Sequence, residues 1–401
     1  MDDRGPARYF HGRVEIRARF ARLRALAREQ CGGTIFLIQG APGAGKTALL
    51  YKLAEDAKGE KWAIANISSV TLRDPAAMAD ELGLSYTPLT QKHWGIDLKV
   101  ITAGKTRKIH GVSTASQVLS EAPGGERGLL LMLDEAQTIA IEADKSALTH
   151  ILTRIHNGKL DRPVILLAGG LGTTEAALGK LGISRFRSGC RVNLGRLSTE
   201  AERTVIRDWL VTDGKATGNV TPWINAIARE TDGWPQHIVS FTQPAARVLQ
   251  LNHGTMTAAG LAYVLRQGRE RKDEYYQGRV VEFDRPARVS LSALLRALPR
   301  KAAFDRQDVL EALKSGALGA TFDHLLHKGV IAKTGDGRYW AVRCARPIHA
   351  GLADPDAPAR ASATLGRPAD GQGRGSWAAN PHAESYRSGG HVYGPPWSAT
   401  S

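Results

Sequence analysis

The sequence predicts an α/β fold: a parallel-sheet core with a phosphate-binding loop, followed by a helical lid and a winged-helix domain. Apolar runs at 34–39, 129–133 and 164–168 each end in a glycine-rich or acidic turn, which is typical of buried strands in a parallel sheet. From residue 197 the apolar spacing is helical. Near residue 330, helical patterns give way to two strands around Thr-Gly-Asp-Gly, the order found in a winged helix.

Composition and pattern divide the chain into four parts. We expect the core at 1–196, a helical lid with a connecting helix at 197–285, and a winged-helix-like domain at 286–350. Residues 351–401 are rich in Gly, Pro, Ser and Ala without apolar periodicity, so this tail is predicted to be disordered.

The bulk composition is that of a globular protein, with 42% hydrophobic and 23% charged residues among 401. No apolar run approaches the roughly 20 residues that span a bilayer, and the first residues lack a hydrophobic signal segment. We therefore expect a cytoplasmic protein without a membrane partner. Cys31, Cys190 and Cys344 are far apart in the sequence, which predicts neither a disulfide framework nor a zinc cluster.

The chain is basic, with a formal net charge of +15. The acidic and basic side chains are balanced beyond residue 350, so the excess lies in the part predicted to fold. Such a body favours a polyanionic partner, nucleic acid first, with double-stranded DNA as one candidate. Arginine-rich, solvated helix faces are the alternative explanation.

A phosphate-binding loop is predicted at 40–47, where Gly-Ala-Pro-Gly-Ala-Gly-Lys-Thr lies between an apolar strand pattern and a helical one. The glycines allow successive N–H groups to point inward, and the helix N-terminus adds its positive dipole end. Lys46 is expected to reach the β- and γ-phosphates, and the Thr47 hydroxyl to hold Mg²⁺. The candidate nucleotide contacts in this loop are Gly40, Ala41, Pro42, Gly43, Ala44, Gly45, Lys46, Thr47 and Ala48.

Two acids follow the buried strand pattern at 129–133. Ligands bind at the carboxyl ends of strands in open α/β sheets, so both acids are expected beside the phosphates. Asp134 is predicted to support Mg²⁺. Glu135 is predicted to orient and deprotonate the attacking water as a general base.

The chain resembles the AAA+ and STAND ATPases related to origin-recognition initiators. The residues that carry the resemblance are the phosphate loop, the Asp-Glu-Ala-Gln strand end at 134–137, a Phe-x-Gly-Arg-x-Glu box at 10–15 and a Gly-Trp-Pro turn at 233–235. It covers about residues 9–342. It implies ATP as the nucleotide, Mg²⁺ as the metal, an AAA+-type core and ATP hydrolysis.

The resemblance also implies roles for residues outside these motifs. The box at 10–15 lies over the adenine in the family, which makes Phe10 and Arg13 candidate nucleotide contacts. Thr173 or Thr174 matches the sensor of the γ-phosphate. Arg185 resembles an arginine finger that completes the site of a neighbouring subunit in a homo-oligomer; the alternative is a surface arginine of a monomeric switch. His237, after the Gly-Trp-Pro turn, either approaches the phosphates or is an ordinary helix residue.

A β-hairpin is predicted within 84–127, because apolar residues alternate from Trp94 to Val100 ahead of a Gly-containing turn. Its tip would carry Lys105, Arg107 and Lys108. These cations either contact phosphates or belong to a solvated loop.

The predicted winged helix has strands at 330–333 and 338–342 and a second helix at 320–328. Winged helices often place one helix in the DNA major groove. The set His324, His327, Lys328, Lys333 and Arg338 is modestly basic. Contact with DNA, contact with a protein partner and a purely structural role all stay open.

Two functions are therefore expected from the sequence. In the first, ATP hydrolysis drives a DNA-associated machine. In the second, the protein is a slow nucleotide switch that acts on a protein partner.

Overall fold

The computed structural model describes residues 6–30, 32–88, 107–112, 114–122, 124–141, 145–158, 160–183 and 186–280, and then 304–308, 322, 326, 331–333 and 338–341. The chain divides into two compact units, Met1–Pro355 and Asp356–Ser401, and every described residue belongs to the first. The tail that was predicted to be disordered lies outside the described residues.

The secondary structure alternates between strands and helices up to β7 and is helical after it. The described helices are α1 (Val14–Glu29), α2 (Lys46–Gly59), α3 (Pro75–Glu81), α4 (Ala115–Glu121), α5 (Lys145–His156), α6 (Thr174–Gly179), α7 (Thr199–Asp208), α8 (Thr221–Thr231), α9 (Pro235–Leu251) and α10 (Ala258–Val280). The described strands are β1 (Gly33–Gly40), β2 (Ala63–Ile67), β3 (Leu84–Pro88), β4 (Arg107–Val112), β5 (Leu129–Leu133), β6 (Val164–Gly170), β7 (Arg191–Leu194), β8 (Ile331–Lys333) and β9 (Tyr339–Ala341). A 3-10 helix (Ala136–Ile141) follows β5, and a π-helical turn (Trp209–Asp213) follows α7.

The central sheet has five strands in the order β2-β5-β6-β1-β7, and all neighbours are parallel. The predicted parallel sheet is confirmed. β6 separates β1 from β5, so the chain reverses its winding direction beside β1. The turns that follow β1 and β5 consequently lie at the same edge of the sheet, one strand apart, where ligands bind in doubly wound folds.

Hydrophobic residues bury both faces of this sheet. Residues of β1, β5 and β6 are buried throughout. Alternate residues of β5 enter opposite clusters: Leu130 packs with α1 and α2, whereas Leu131 packs with α3, α4 and α5. This is why the sequence of β5 is continuously apolar instead of alternating.

The lid is a separate layer formed by α7 to α10. The helical segments predicted at 199–211, 221–230 and 236–249 are confirmed with small shifts of their ends. The Ser198 hydroxyl caps α7 by accepting from Ala201 N at 3.2 Å. α9 and α10 cross so closely that a Cβ added at Gly268 would overlap the ring of Phe241.

The placement of Arg107 and Lys108 at the tip of a hairpin is wrong. β3 and β4 form a two-stranded sheet that is parallel, with Leu84 opposite Arg107. Parallel strands require a crossover between them, so Arg107 and Lys108 belong to a strand and not to a tight turn. The segment from Trp94 to Val100, and Lys105, lie outside the described residues.

The two strands predicted near residue 330 are confirmed. β8 and β9 pair antiparallel. Phe304 forms an isolated antiparallel bridge with Tyr339 through two backbone hydrogen bonds of 2.7 and 2.8 Å. Phe304, Phe322, Leu326 and Ile331 are buried in the same cluster as α1, α2 and β1. The helical patterns at 288–298, 305–314 and 320–328 lie largely outside the described residues, so the winged helix stays a prediction.

Candidate functional site

The loop between β1 and α2 has the backbone that a phosphate cradle needs. Gly43 and Gly45 have φ values of 77° and 85°, a region that side chains other than glycine rarely adopt. α2 begins at Lys46 directly after the second of these glycines. The loop N–H groups and the helix N-terminus therefore face one point, as in an anion-binding nest.

Lys46 is held inside this loop. Its side chain is only 6% exposed, and its ammonium donates to the carbonyl oxygens of Gly40 at 3.1 Å and Ala41 at 3.3 Å. The loop backbone thus holds the Lys46 ammonium inside the predicted phosphate-binding loop.

The loop and the first acid are in direct contact. The Thr47 hydroxyl donates to Asp134 Oδ2 at 2.6 Å. This contact crosses β6, whose Gly169 leaves the space for it: a Cβ there would lie 3.2 Å from Asp134 Oδ1 and 2.7 Å from Leu50 Cδ1. The two motifs predicted to share a metal ion therefore meet at the sheet edge.

Glu135 follows in a left-handed backbone conformation, with φ of 52°. Its N–H donates to Asp134 Oδ1 at 2.9 Å, which fixes the turn. Its side chain is exposed and lines the same cleft as the phosphate loop. The carboxylate accepts a short hydrogen bond from the Gln137 amide.

Two glutamines hold the turn that follows β6, and the sequence analysis assigned neither. Gln137 Oε1 accepts from Leu171 N at 3.1 Å, and Gln39 Nε2 donates to Gly172 O at 3.3 Å. Gln39 ends the apolar run of β1, and Gln137 closes the Asp-Glu-Ala-Gln motif. In the sequence, each glutamine is a polar residue close to the carboxyl end of an apolar strand pattern. That position was the signal that could have identified them.

One large cleft contains these groups, with a volume of about 1490 Å³. Its walls come from the N-terminal segment, the phosphate loop, the ends of β5 and β6, and the lid. The sequence-predicted residues among its lining are Phe10, Arg13, Pro42, Gly43, Ala44, Gly45, Lys46, Thr47, Ala48 and Glu135.

Arg13 lines the cleft but donates its hydrogen bonds to the protein backbone. Its guanidinium reaches Gly195 O at 2.6 Å and Arg196 O at 3.2 Å, in the segment between β7 and α7. Burial lowers the pKa of Arg13 to about 10, which leaves it charged at neutral pH. Arg13 therefore fastens the N-terminal segment to the hinge between the sheet and the lid.

The N-terminal segment also grips the lid directly, through contacts that the sequence did not indicate. Arg8 pairs with Asp213 at 2.5 Å, and His11 Nε2 lies 2.6 Å from Asp208 Oδ2. Between them, the ring of Tyr9 packs edge-on against Trp209, with centroids 5.5 Å apart.

The lid in turn rests on the phosphate loop. The N–H of Gln236, in the first turn of α9, donates to Gly43 O at 3.1 Å. A Cβ at Gly43 would lie 2.7 Å from Gln236 Cβ and 3.0 Å from Trp234 Nε1. The Gly-Trp-Pro turn and the start of α9 thus pack directly against the phosphate loop.

His237 faces the lid interior. It is 1% exposed, and its Nδ1 lies 3.1 Å from Thr231 O. Burial, together with the nearby charges of Lys272 and Arg196, lowers its pKa to about 3. His237 is not among the described residues that line the cleft. Of the two predicted roles, the geometry therefore agrees with an ordinary helix residue.

Solved structures share this architecture. A Walker-type ATPase of Pyrococcus abyssi matches with a TM-score of 0.54 at 15% identity, over 88% of this chain and 98% of that one. The chain has the fold of the AAA+ P-loop ATPases. No protein-family model and no curated protein matches it.

Two further structures with this AAA+ fold are also similar. RuvB of Thermotoga maritima has a TM-score of 0.44 at 17% identity, over 83% of this chain and 93% of that one. The ORC1 protein of Aeropyrum pernix, in complex with DNA, has a TM-score of 0.40 at 17% identity, over 86% and 94%.

The other predicted site residues are not among the described residues that line the cleft. The Thr174 side chain is fully buried, and its hydroxyl occupies the space beneath Gly170. From the turn after β6, Leu171 is among the described residues that line the cleft, whereas Thr173 and Thr174 are not. Arg185 lies outside the described residues.

The donor set at Thr47 and Asp134 fits Mg²⁺. A hydroxyl and a carboxylate oxygen meet at Thr47 and Asp134, and Mg²⁺ is usually bound by one or two such oxygens together with phosphates and water. In the part of the chain that the structure describes, no group of three or more His, Cys, Asp or Glu side chains forms a cage for another metal. None of the described helices has the length and hydropathy needed to cross a membrane.

Proposed function

We propose that this protein binds and hydrolyses ATP in the cleft between the phosphate loop, the sheet edge and the lid. The observation that carries the proposal is the 2.6 Å hydrogen bond between Thr47 and Asp134. It brings together two motifs that are 87 residues apart in the chain. Chance similarity to either motif alone would not produce this contact.

Each residue has a role in the proposed reaction. The loop N–H groups and Lys46 bind the phosphates, and Thr47 with Asp134 would hold Mg²⁺. The metal supplies charge neutralisation to the β- and γ-phosphate oxygens when bound. Glu135 orients a water molecule for in-line attack on the γ-phosphorus and accepts its proton.

The base is proposed to lie at the other end of the cleft, between the N-terminal segment and the lid. Phe10, Tyr9 and Trp209 line this end. Aromatic rings suit a purine because they bury large apolar area and stack.

Turnover of wild type against two variants tests the proposal. We expect Glu135→Gln to bind ATP and to lose hydrolysis, because an amide cannot accept the proton of the water. We expect Lys46→Ala to lose both, because the phosphates lose their buried cation. Equilibrium binding of a fluorescent ATP analogue and phosphate release give the two readings. Turnover in Glu135→Gln equal to that of wild type would remove Glu135 from the base role.

We propose further that the nucleotide state is coupled to double-stranded DNA through the C-terminal winged helix. The support is the net charge of +15 and the strand pair β8 and β9, which fits a wing. DNA should raise the ATPase rate, and its affinity should fall steeply with salt. Mass in solution with a non-hydrolysable analogue tests the homo-oligomer in which Arg185 would act.

The nucleotide switch is the second candidate, and one contact favours it. Leu326 Cδ2 lies so near the turn after β6 that a Cβ at Gly172 would be 3.4 Å from it. A C-terminal segment that contacts this edge could restrain the site until a protein partner removes it. A monomer with retained ADP, slow turnover and no DNA affinity would favour the switch over the DNA-associated machine.

A further inference from the structure

The side-chain amide of Gln137 connects two parts of the cleft edge. Its Nε2 donates to the Glu135 carboxylate, and its Oε1 accepts from Leu171 N at 3.1 Å. Gln137 is half-buried, whereas Glu135 is exposed. The carboxylate at the end of β5 is thus tethered to the backbone at the end of β6.

The partner to which Gln137 attaches is itself fixed. Gln39 on β1 is 2% exposed and donates to Gly172 O at 3.3 Å. The turn after β6 is therefore held from both neighbouring strands. Leu171 N offers a rigid anchor for the tether, because its own position is determined by the sheet.

The chain leaves room for this tether. Gly170 ends β6, and a Cβ there would overlap Thr174 Oγ1 and lie 3.0 Å from Gln137 Oε1. A larger residue would displace Thr174 first and would also crowd the Gln137 amide. The glycine at this position thus has a steric reason beyond a sharp turn.

We propose that Gln137 is a positioning residue that holds Glu135 for the attack of water on ATP. The inference rests on the proposed ATPase function. The amide satisfies both contacts at neutral pH because its NH₂ group donates to the carboxylate while its oxygen accepts from the N–H, which an ionised glutamate or a lysine cannot do. Without the tether, the Glu135 side chain can rotate into solvent and no longer fixes the water.

The first test is Gln137→Ala in the full chain. We expect kcat to fall by about 10- to 100-fold, the cost of misplacing a catalytic group by about 1 Å. The dissociation constant for ATP should stay within about twofold, because Gln137 touches none of the phosphate-loop residues. Thermal unfolding with and without ATP shows whether the variant is folded.

The second test, Gln137→Glu, separates positioning from a structural role. The introduced acid has the same shape and can still accept from Leu171. While it is ionised it cannot donate to the Glu135 carboxylate, so the tether is lost although the shape is kept. We therefore expect kcat to fall as in Gln137→Ala, whereas a side chain needed only for packing would tolerate this change. Gln117→Glu is the matched control, because a glutamate serves equally well in the capping box of α4, and its kcat should equal that of wild type.

The outcomes separate this inference from the function on which it rests. If Glu135→Gln hydrolyses ATP like wild type, the base assignment fails. If Glu135→Gln is inactive while Gln137→Ala keeps the wild-type kcat, the tether alone is refuted. A Gln137→Glu variant with the kcat of wild type also refutes it, whether or not Gln137→Ala folds.

Discussion

Gly43 is the residue at which the phosphate loop and the lid meet. Its φ of 77° and the 2.7 Å separation between an added Cβ and Gln236 Cβ leave no space for a side chain. We expect Gly43→Ala to lower the free energy of unfolding by about 1–3 kcal/mol through backbone strain alone. The dissociation constant for ATP should rise at least about tenfold, because a displaced loop loses phosphate contacts. A loss of about 1.4 kcal/mol of binding free energy is enough for this change. Urea unfolding and fluorescent-nucleotide titration measure the two effects.

Gly59→Ala, at the end of the helix that follows the loop, provides the matched control. Gly59 is exposed at the end of α2, and a Cβ there meets nothing within 4 Å. Alanine is the better helix former, so stability should stay equal or rise by about 0.5–1 kcal/mol. Equal losses at both positions would contradict the proposed contact between loop and lid.

Arg13 tests whether the N-terminal box binds the nucleotide or the hinge. Its guanidinium spans the carbonyls of Gly195 and Arg196, and a lysine ammonium on a shorter stem cannot match this fork. We expect Arg13→Lys to lose about 1.5–3 kcal/mol of unfolding free energy, the usual value of hydrogen bonds to a charged group. Arg19→Lys, at an exposed position of α1, should change nothing. A variant that is fully stable but binds ATP poorly would assign Arg13 to the nucleotide instead.

The residues that the sequence predicted belong to local motifs. Lys46, Thr47 and Asp134 follow apolar strands at fixed spacing, so a short window was enough to find them. Gln137 bonds to Leu171, 34 positions away, and Arg8 pairs with Asp213, 205 positions away. Such contacts depend on strand order and lid docking, which no window contains.

At the scale of elements, the helices and the central strands could be predicted, but some pairings could not. Leu148, Ile151, Leu152 and Ile155 of α5 recur at helical spacing, which places them on one face, and all four are buried. Within 84–127 the pattern indicated a hairpin with Arg107 and Lys108 at its tip, yet these residues begin β4. Local alternation carries no information about which strand is the partner. The parallel pairing of Leu84 with Arg107 required knowledge of the path between them.

The N-terminal end of α9 gives the fold an acid-sensitive element. Burial lowers the pKa of His237 to about 3, whereas the unfolded chain protonates at about 6.5. As the pH falls below about 6.5, the unfolded state gains a proton that the folded state refuses. This element therefore loses stability between pH 6.5 and 3.

We expect His237→Gln to remove part of the acid sensitivity. Between pH 7.5 and 5, wild type should lose about 2 kcal/mol more than the variant, from 1.36 kcal/mol per pH unit over about 1.5 units. Urea unfolding at the two pH values measures the difference. His253→Asn is the control, since His253 is exposed and asparagine tolerates its left-handed backbone. The same pH dependence in wild type and His237→Gln would contradict a buried neutral imidazole.

At the scale of the whole molecule, one sheet edge collects contacts from distant parts of the chain. The N-terminal segment and the lid contact the loop after β1 through Arg13 and Gln236, and Leu326 lies beside the turn after β6. The reversal beside β1 makes this possible, because it places the phosphate loop and the acids one strand apart. A shift of this edge on nucleotide binding would therefore change direct contacts with all three parts.

The C-terminal residues test how far this integration goes. Leu326 is 9% exposed and shares a hydrophobic cluster with Phe20 of α1, Leu49 of α2 and Phe36 of β1. If the first unit unfolds as one body, Leu326→Ala should shift a single urea transition by about 2–5 kcal/mol, the usual cost of removing a buried leucine. Leu251→Ala, at a leucine 72% exposed, should leave that transition in place. Two transitions, of which only the weaker responds to Leu326→Ala, would show instead that the C-terminal residues fold independently, and the restraint through Gly172 would then be too weak to regulate the site.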